Sequence, residues 1–281
     1  MKHAMRSSLL GLLALSVLCA LLALPAAAAE LPLWELGAGL GGLRLQHYRG
    51  SDQHRDLVLP VPYAIYRGKI FRATREGARA VLVDSERLDL DLSLAASPPQ
   101  RSSDNRARAG MPDLPATLEL GPNVNVVLAR SRVDAFDWKL DLRLPVRGVV
   151  RLDSSFKDAG WTVSPVLNLD LKWQGWNLGA QAGPLWASRR HHALYYEVAA
   201  GDATAARPAY AAPAGNGGWS WTTAATRRFG QLWVGGYVRG DELQGAAFVH
   251  SPLVRQTHTV GFGLAFSWVF AVSDERVTAD D

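Results

Sequence analysis

The chain has 281 residues, 48% of them hydrophobic and 20% charged, which is enough for one large domain or two small ones. Thirty Lys and Arg stand against 26 Asp and Glu, a formal net charge of +4, and this near balance lacks the electrostatic footprint of a nucleic-acid-binding protein. The single cysteine, Cys19, lies in the N-terminal apolar stretch, so a chain processed beyond it has no disulfide, no thiol catalysis and no cysteine metal site.

Residues 1–29 read as a cleaved signal peptide. Lys2 and Arg6 precede an apolar run from Leu9 to Leu24, Pro25 breaks it, and Ala27, Ala28 and Ala29 supply small residues ahead of Glu30. The rival reading is a transmembrane anchor; the alanine-rich ending favours cleavage. A lipoprotein needs a small residue before its cysteine, and Leu18 stands there instead. Without Lys2 and Arg6 the mature chain, 30–281, carries 28 basic and 26 acidic residues, a net charge of +2. It has no apolar run of about 18 residues, hence no membrane helix. All ten tryptophans lie in it.

From there on the period is two. In "RLDLDLSLAAS" (Arg87 to Ser97), Leu88, Leu90, Leu92 and Leu94 fall on one side of an extended chain, and Asp89, Asp91 and Ser93 on the other. Leu118, Leu120, Val124 and Val126 alternate with Glu119, Asn123 and Asn125. Trp138, Leu140, Leu142 and Leu144 alternate with Lys139, Asp141 and Arg143. Val260, Phe262, Leu264, Phe266 and Trp268 alternate with Gly261, Gly263, Ala265 and Ser267. Such runs predict strands, and no segment has the period of an amphipathic helix.

Twelve strands are expected, near 33–48, 57–67, 69–75, 78–84, 88–95, 116–130, 136–151, 161–172, 176–187, 218–228, 231–241 and 257–270. One bent strand around Arg75, Glu76 and Gly77 would make eleven. With twelve, short turns and long loops alternate, apart from the tight turn at Glu76 and Gly77. The long loops fall near 49–56, 96–115, 152–160, 188–217 and 242–256.

A soluble sandwich also alternates polar and apolar faces. Three features favour a closed antiparallel transmembrane β-barrel with short periplasmic turns and longer extracellular loops. Tryptophans sit at strand ends, as interfacial girdles require. Many strands have ten or more residues, the length of a tilted membrane span. The last strand ends on Phe266, Trp268 and Phe270, with residues 271–281 trailing as a short C-terminal tail. Closure has a motive, because an unpaired strand edge is costly in lipid. The glycines Gly37, Gly39, Gly41, Gly42, Gly235, Gly236, Gly261 and Gly263 either ease curvature or fill small lumen positions. The expected lumen lining is Asp89, Asp91, Glu119, Asn123, Asn125, Lys139, Asp141, Arg143, Arg147, Asn168, Asp170 and Gln181. A dense network of these charges would plug the barrel; a loose one would leave a water path.

The segments "HYRGSDQHR" (His47 to Arg55), "YAIYRGKIFRATREG" (Tyr63 to Gly77), "DNRARAGMPDLPATLELGP" (Asp104 to Pro122), "GWTVSPVLNLDL" (Gly160 to Leu171) and "GFGLAFSWVF" (Gly261 to Phe270) resemble the MipA/OmpV family, the MltA-interacting proteins. The resemblance implies a Gram-negative outer-membrane barrel. It further implies a scaffold that joins a lytic murein transglycosylase to a bifunctional penicillin-binding protein. Other members resemble osmoregulated porins or adhesins, so a small-solute channel and a surface adhesin stay open as alternatives. The expected partners are outer-membrane lipid, lipopolysaccharide and the two murein enzymes, with no nucleic acid.

No catalytic constellation emerges, and the chain reads as non-enzymatic, with no cofactor and no metal. His191 and His192 in "SRRHHALYY" have no acid at ligand or base spacing and read as a solvated loop. Asp89 and Asp91 could form an acid pair but read as lumen charges. Ser102, Ser103, Ser154 and Ser155 lack a nucleophile elbow. "GAGLGG" (Gly37 to Gly42) lies in a strand with no helix after it, which argues against a dinucleotide site. The loop Ser97 to Leu114 is the candidate for recognition. Arg101, Arg106 and Arg108, beside Asp104 and Asp113, either clamp lipopolysaccharide phosphates or tie the loop down with internal bonds. The loop near 188–217 either folds over the mouth, touches a partner, or moves freely.

Overall fold

The computed structural model describes residues 30–278 except 69–70, 75–76, 86, 134–135 and 154–155. The expected signal peptide, Ser154 and Ser155 lie outside the described residues. Two compact units are present. The smaller contains a two-stranded sheet of β1 (Glu30–Pro32) and β15 (Arg276–Thr278).

The larger unit, Pro32–Glu275, carries one antiparallel sheet. Its strands are β2 (Trp34–Gln46), β3 (His54–Arg67), β4 (Phe71–Thr74), β5 (Gly77–Asp84), β6 (Leu88–Ser97), β7 (Thr117–Val133), β8 (Phe136–Arg151), β9 (Asp158–Val163), β10 (Val166–Trp173), β11 (Trp176–Ala187), β12 (Gly215–Phe229), β13 (Leu232–Glu242) and β14 (His258–Val272). Chain neighbours pair from β2 to β9 and from β10 to β14, and β14 pairs with β2. Additional pairings join β10 to β8 and β11 to β9. Eleven of the expected strands appear as single elements. The twelfth, near 161–172, is split at Ser164 and Pro165 into β9 and β10. Pro165 has no N–H to give the ladder, and its carbonyl lies so near Gly183 that a Cβ there would meet it at 1.9 Å. Gly183 thus closes a backbone approach that any side chain would block. The last strand runs to Val272, two residues beyond its expected end.

The alternation sorts the two faces by burial, and in the opposite sense to a soluble sheet. On β14, Leu264 is 67% exposed and Phe270 62%, while Ser267 and Val269 are buried. On β6, Leu92 and Leu94 are exposed, while Asp91 is 3% exposed. Of the clustered glycines, Gly37, Gly39, Gly41, Gly235, Gly261 and Gly263 share the buried face, whereas Gly42 and Gly236 share the other.

One element departs from the expectation of no helix. Helix α1 (Arg189–Tyr196) lies within the segment expected to be a loop. Ser188 caps it, its Oγ accepting from the His191 amide at 3.3 Å. The loops 47–53, 98–116, 188–214 and 243–257 build a second, apolar core from Tyr48, Met111, Leu114, Tyr196, Val198, Leu243, Phe248 and Leu253. Tyr196 and Phe248 stack there with ring centroids 3.6 Å apart.

Candidate functional site: a buried polar wall and a loop core

The buried face of β6, β7, β8 and β10 is a wall of ion pairs and amides. It has three linked parts. Asp91 accepts from Asn123 Nδ2 at 3.1 Å and Asn125 Nδ2 at 2.8 Å, and Asn123 also donates to Asn125 Oδ1 at 2.9 Å. Direct pairing of Asp91 with Asn123 across the ladder sets this contact. Asp141 accepts from Arg143 Nε at 2.7 Å and Asn168 Nδ2 at 3.1 Å. Asp170 accepts from the same Asn168 at 2.9 Å and from Arg143 Nη2 at 3.2 Å, and Lys139 Nζ lies 3.7 and 3.6 Å from the two carboxylates. Arg147 donates twice to Ser93 Oγ, at 2.9 and 2.6 Å, and sits 3.9 Å from Glu119, which also accepts from Thr162 Oγ1 at 3.1 Å.

Ten of the twelve residues read as lumen lining therefore meet in these three groups. Asp89 stands opposite Asn125 in the ladder and accepts weakly from the Ser85 amide at 3.4 Å. Gln181 faces Asn168 in the ladder. Asp91 is held by the side-chain amides of Asn123 and Asn125.

A belt that sequence reading missed lies on the buried face of β2, β3 and β12. Glu35 is 3% exposed, bonds Arg67 Nη2 at 2.7 Å, pairs with Arg228 and accepts from the Tyr63 hydroxyl at 3.3 Å. Tyr63, Ile65, Trp233 and Val269 pack beside it. Residues 35, 67 and 228 carry no local signal; only the strand order brings them together.

In the loops, the candidate recognition residues divide. Arg108 is 3% exposed, and its guanidinium donates to Ser102 Oγ, Tyr195 O and Pro112 O at 3.1–3.2 Å. Asp113 accepts from the Ser102 amide at 2.7 Å. Both hold the loop together. Arg101 and Arg106 are exposed, Arg106 reaching Asp52 at 3.3 Å. His191 and His192 are not solvated, as the loop reading had them, but buried on α1. His192 Nδ1 donates to Pro213 O at 2.7 Å. Burial, with His192 and Arg49 nearby, pushes the His191 pKa down to about 4. Among the described residues no group of three His, Cys, Asp or Glu could hold a metal ion.

A family model described as MltA-interacting protein MipA matches residues 38–270. No curated protein matches the chain. Among solved structures, a porin refined at 1.8 Å is 11% identical, with 84% of this chain and 99% of that one covered and a TM-score of 0.32. Outer membrane phospholipase A from Escherichia coli is 8% identical over 88% and 93% of the two chains, with a TM-score of 0.34. The COG4313 outer membrane channel from Pseudomonas putida F1 is 12% identical over 88% and 99%, with a TM-score of 0.35.

Proposed function

The chain belongs to the MipA family, and from that premise we propose that it is a non-enzymatic outer-membrane β-barrel that serves as a scaffold between a murein hydrolase and a murein synthase. The observation that carries the barrel is the inversion of burial across one sheet. Leucine, phenylalanine and tryptophan are exposed, while aspartate and asparagine are buried opposite them. Water would penalise that arrangement; a hydrocarbon layer around the sheet favours it. The pairings support closure. β14 lies beside β2, and β10 lies beside both β8 and β11.

Two features favour a scaffold over an open pore. In the polar wall Lys139 and Arg143 offset Asp141 and Asp170, and Arg147 lies beside Glu119, while the four long loops pack an apolar core. A partner in the periplasm would use the short turns, a small surface that suits a transient interface. The test is co-purification of a lytic transglycosylase and a penicillin-binding protein with the barrel from solubilised membranes. Enrichment of both over an unrelated barrel is expected; equal recovery rejects the scaffold. The second reading, a small-solute channel, rests on Lys139 and Asp170, which keep 40% and 29% of their side chains exposed within the wall. Single-channel conductance in a planar bilayer separates the two: a folded but silent barrel removes the channel.

A further inference from the structure

Arg55, in the first turn of chain on β3, and Arg101, Asp104 and Asp113 of the β6–β7 loop line one cleft of about 440 Å³, within the range of small-ligand pockets. Among the described residues none of these four charges forms a salt bridge. The charges beside them do. Arg44 holds Asp56 with two bonds of 2.7 and 2.8 Å, and alternation puts Asp56 on the face of β3 opposite Arg55. Arg106 reaches Asp52 at 3.3 Å. The cleft is thus a place where two positive and two negative groups stand close together with their ion-pairing capacity unused.

The backbone around it is fixed from several sides. Gln100 and Leu114 exchange two backbone bonds of 2.9 Å, and Leu114 is buried in the loop core. Ser102 donates its amide to Asp113 Oδ1 and its hydroxyl to Pro112 O, both at 2.7 Å. Gln53 ties this loop to the start of β3: its Oε1 accepts from the Arg106 amide at 2.6 Å, and its Nε2 donates to Asp104 O at 3.4 Å. Arg55 follows two residues later and is therefore held against the loop. His47 reports the closeness of the two signs. Burial and then Arg55 push its pKa down, while Asp104 opposes them. Groups held in place beforehand lose less freedom when a ligand arrives.

The charges select the ligand. A phosphate would meet the two guanidiniums but also two carboxylates of its own sign. A simple amine has the reverse difficulty. A molecule carrying one carboxylate and one ammonium satisfies both signs. Guanidinium N–H groups donate to a carboxylate as a fork, and an aspartate accepts from an ammonium. Of the two acids, Asp104 is the one at liberty, since its side chain accepts only from the exposed Ser103 hydroxyl at 3.2 Å, whereas Asp113 holds the Ser102 amide. Pro99 and Leu114 add an apolar side to the lining.

We propose that this cleft binds a small zwitterion of the amino-acid or short-peptide class, with its carboxylate on Arg55 and Arg101 and its ammonium on Asp104. The site is independent of both functions proposed above, because it is built from the loop end alone and holds for a scaffold and for a channel.

The test titrates alanyl-alanine into nanodiscs carrying the full chain and follows saturation transfer to the methyl protons of the dipeptide, with empty nanodiscs as the blank. Saturable transfer is expected. Acetylating the amine or amidating the carboxylate is each expected to weaken binding about tenfold or more, the loss of one charge-assisted hydrogen bond. Arg55→Ala and Arg101→Ala are expected to do the same, and Asp104→Asn to make the free and acetylated dipeptides bind alike. Inorganic phosphate at equal concentration is expected to leave the dipeptide in place. Absence of saturable transfer, an acetylated dipeptide that binds the unaltered chain as well as the free one, or displacement by phosphate overturns the zwitterion site. Unchanged affinity in Arg101→Ala overturns its placement in this cleft, and that variant keeps the fold because the exposed Arg101 side chain has no bond to lose among the described residues. Should Arg55→Ala misfold, the Arg101 variant and the blocked dipeptides still decide.

Discussion

The loop core and the strand wall bury opposite chemistry. In the loops, Phe248, Leu243 and Leu253 are almost wholly buried, and charges such as Arg106 stay outside. In the strands, Asp91 and Asp141 are buried, and Leu264 and Phe270 are outside. Both regions obey the same rule in different solvents. Loops in water bury apolar surface, at roughly 25 cal/mol per Å². Strands in hydrocarbon gain nothing by burying leucine, so they turn it outward and keep the polar groups where partners and water can reach them. The comparison also locates the pH sensitivity, because His191 and His192 sit in the loop core and not in the wall.

The largest way to break the contrast is to empty the loop core. Phe248→Ala removes the ring stacked on Tyr196 and is expected to cost about 4 kcal/mol. Limited proteolysis should then cut the loops 188–214 and 243–257 while the strands stay protected. Acid should act on the same region. The folded His191 pKa of about 4 lies below its ordinary 6.5, so between these values the unfolded loops bind more protons. The loop core therefore keeps its full stability above about pH 6.5 and loses it as pH falls towards 4, by roughly 3 kcal/mol. Hydrogen exchange of the loop amides at pH 7 and pH 4.5 measures this; equal protection contradicts it.

On the wall, Leu264→Arg puts a charge on the exposed face of β14 and is expected to cost about 2–4 kcal/mol of membrane stability in urea titrations from vesicles. The same substitution on a soluble sheet would be nearly neutral, so the value itself discriminates. Smallest is Arg106→Ala, which breaks an exposed ion pair with Asp52 and is expected to change stability by about 0.2–1 kcal/mol.

Most strands were legible because alternation needs only neighbours in sequence. "RLDLDLSLAAS" announces both of its faces, and the structure turns Asp91 inward and Leu94 outward. The polar wall followed from the same pattern, since Asp91, Asn123, Asp141 and Asn168 each stand opposite leucine or valine along their own strands. The Glu35, Arg67 and Arg228 belt was not legible, because its members come from strands far apart in the chain and each looks like an ordinary surface charge. Helix α1 was missed for a different reason. Eight residues give two turns, too few for a period to declare itself, and the Ser188 cap was its one local sign. For Arg108 the sequence left two readings, an anion clamp or a loop tied down by internal bonds, because an arginine in a polar loop gives no hint that three loop oxygens surround it.

The central claim, that the apolar face of one sheet lies in lipid with its polar face enclosed, is tested most directly by spin labels placed singly at each position from Val260 to Phe270 in vesicles. Collision with oxygen should rise at the even-numbered positions and fall at the odd ones, with soluble nickel chelate excluded from the even set. A flat profile, or nickel reaching Leu264 and Phe266, would contradict it.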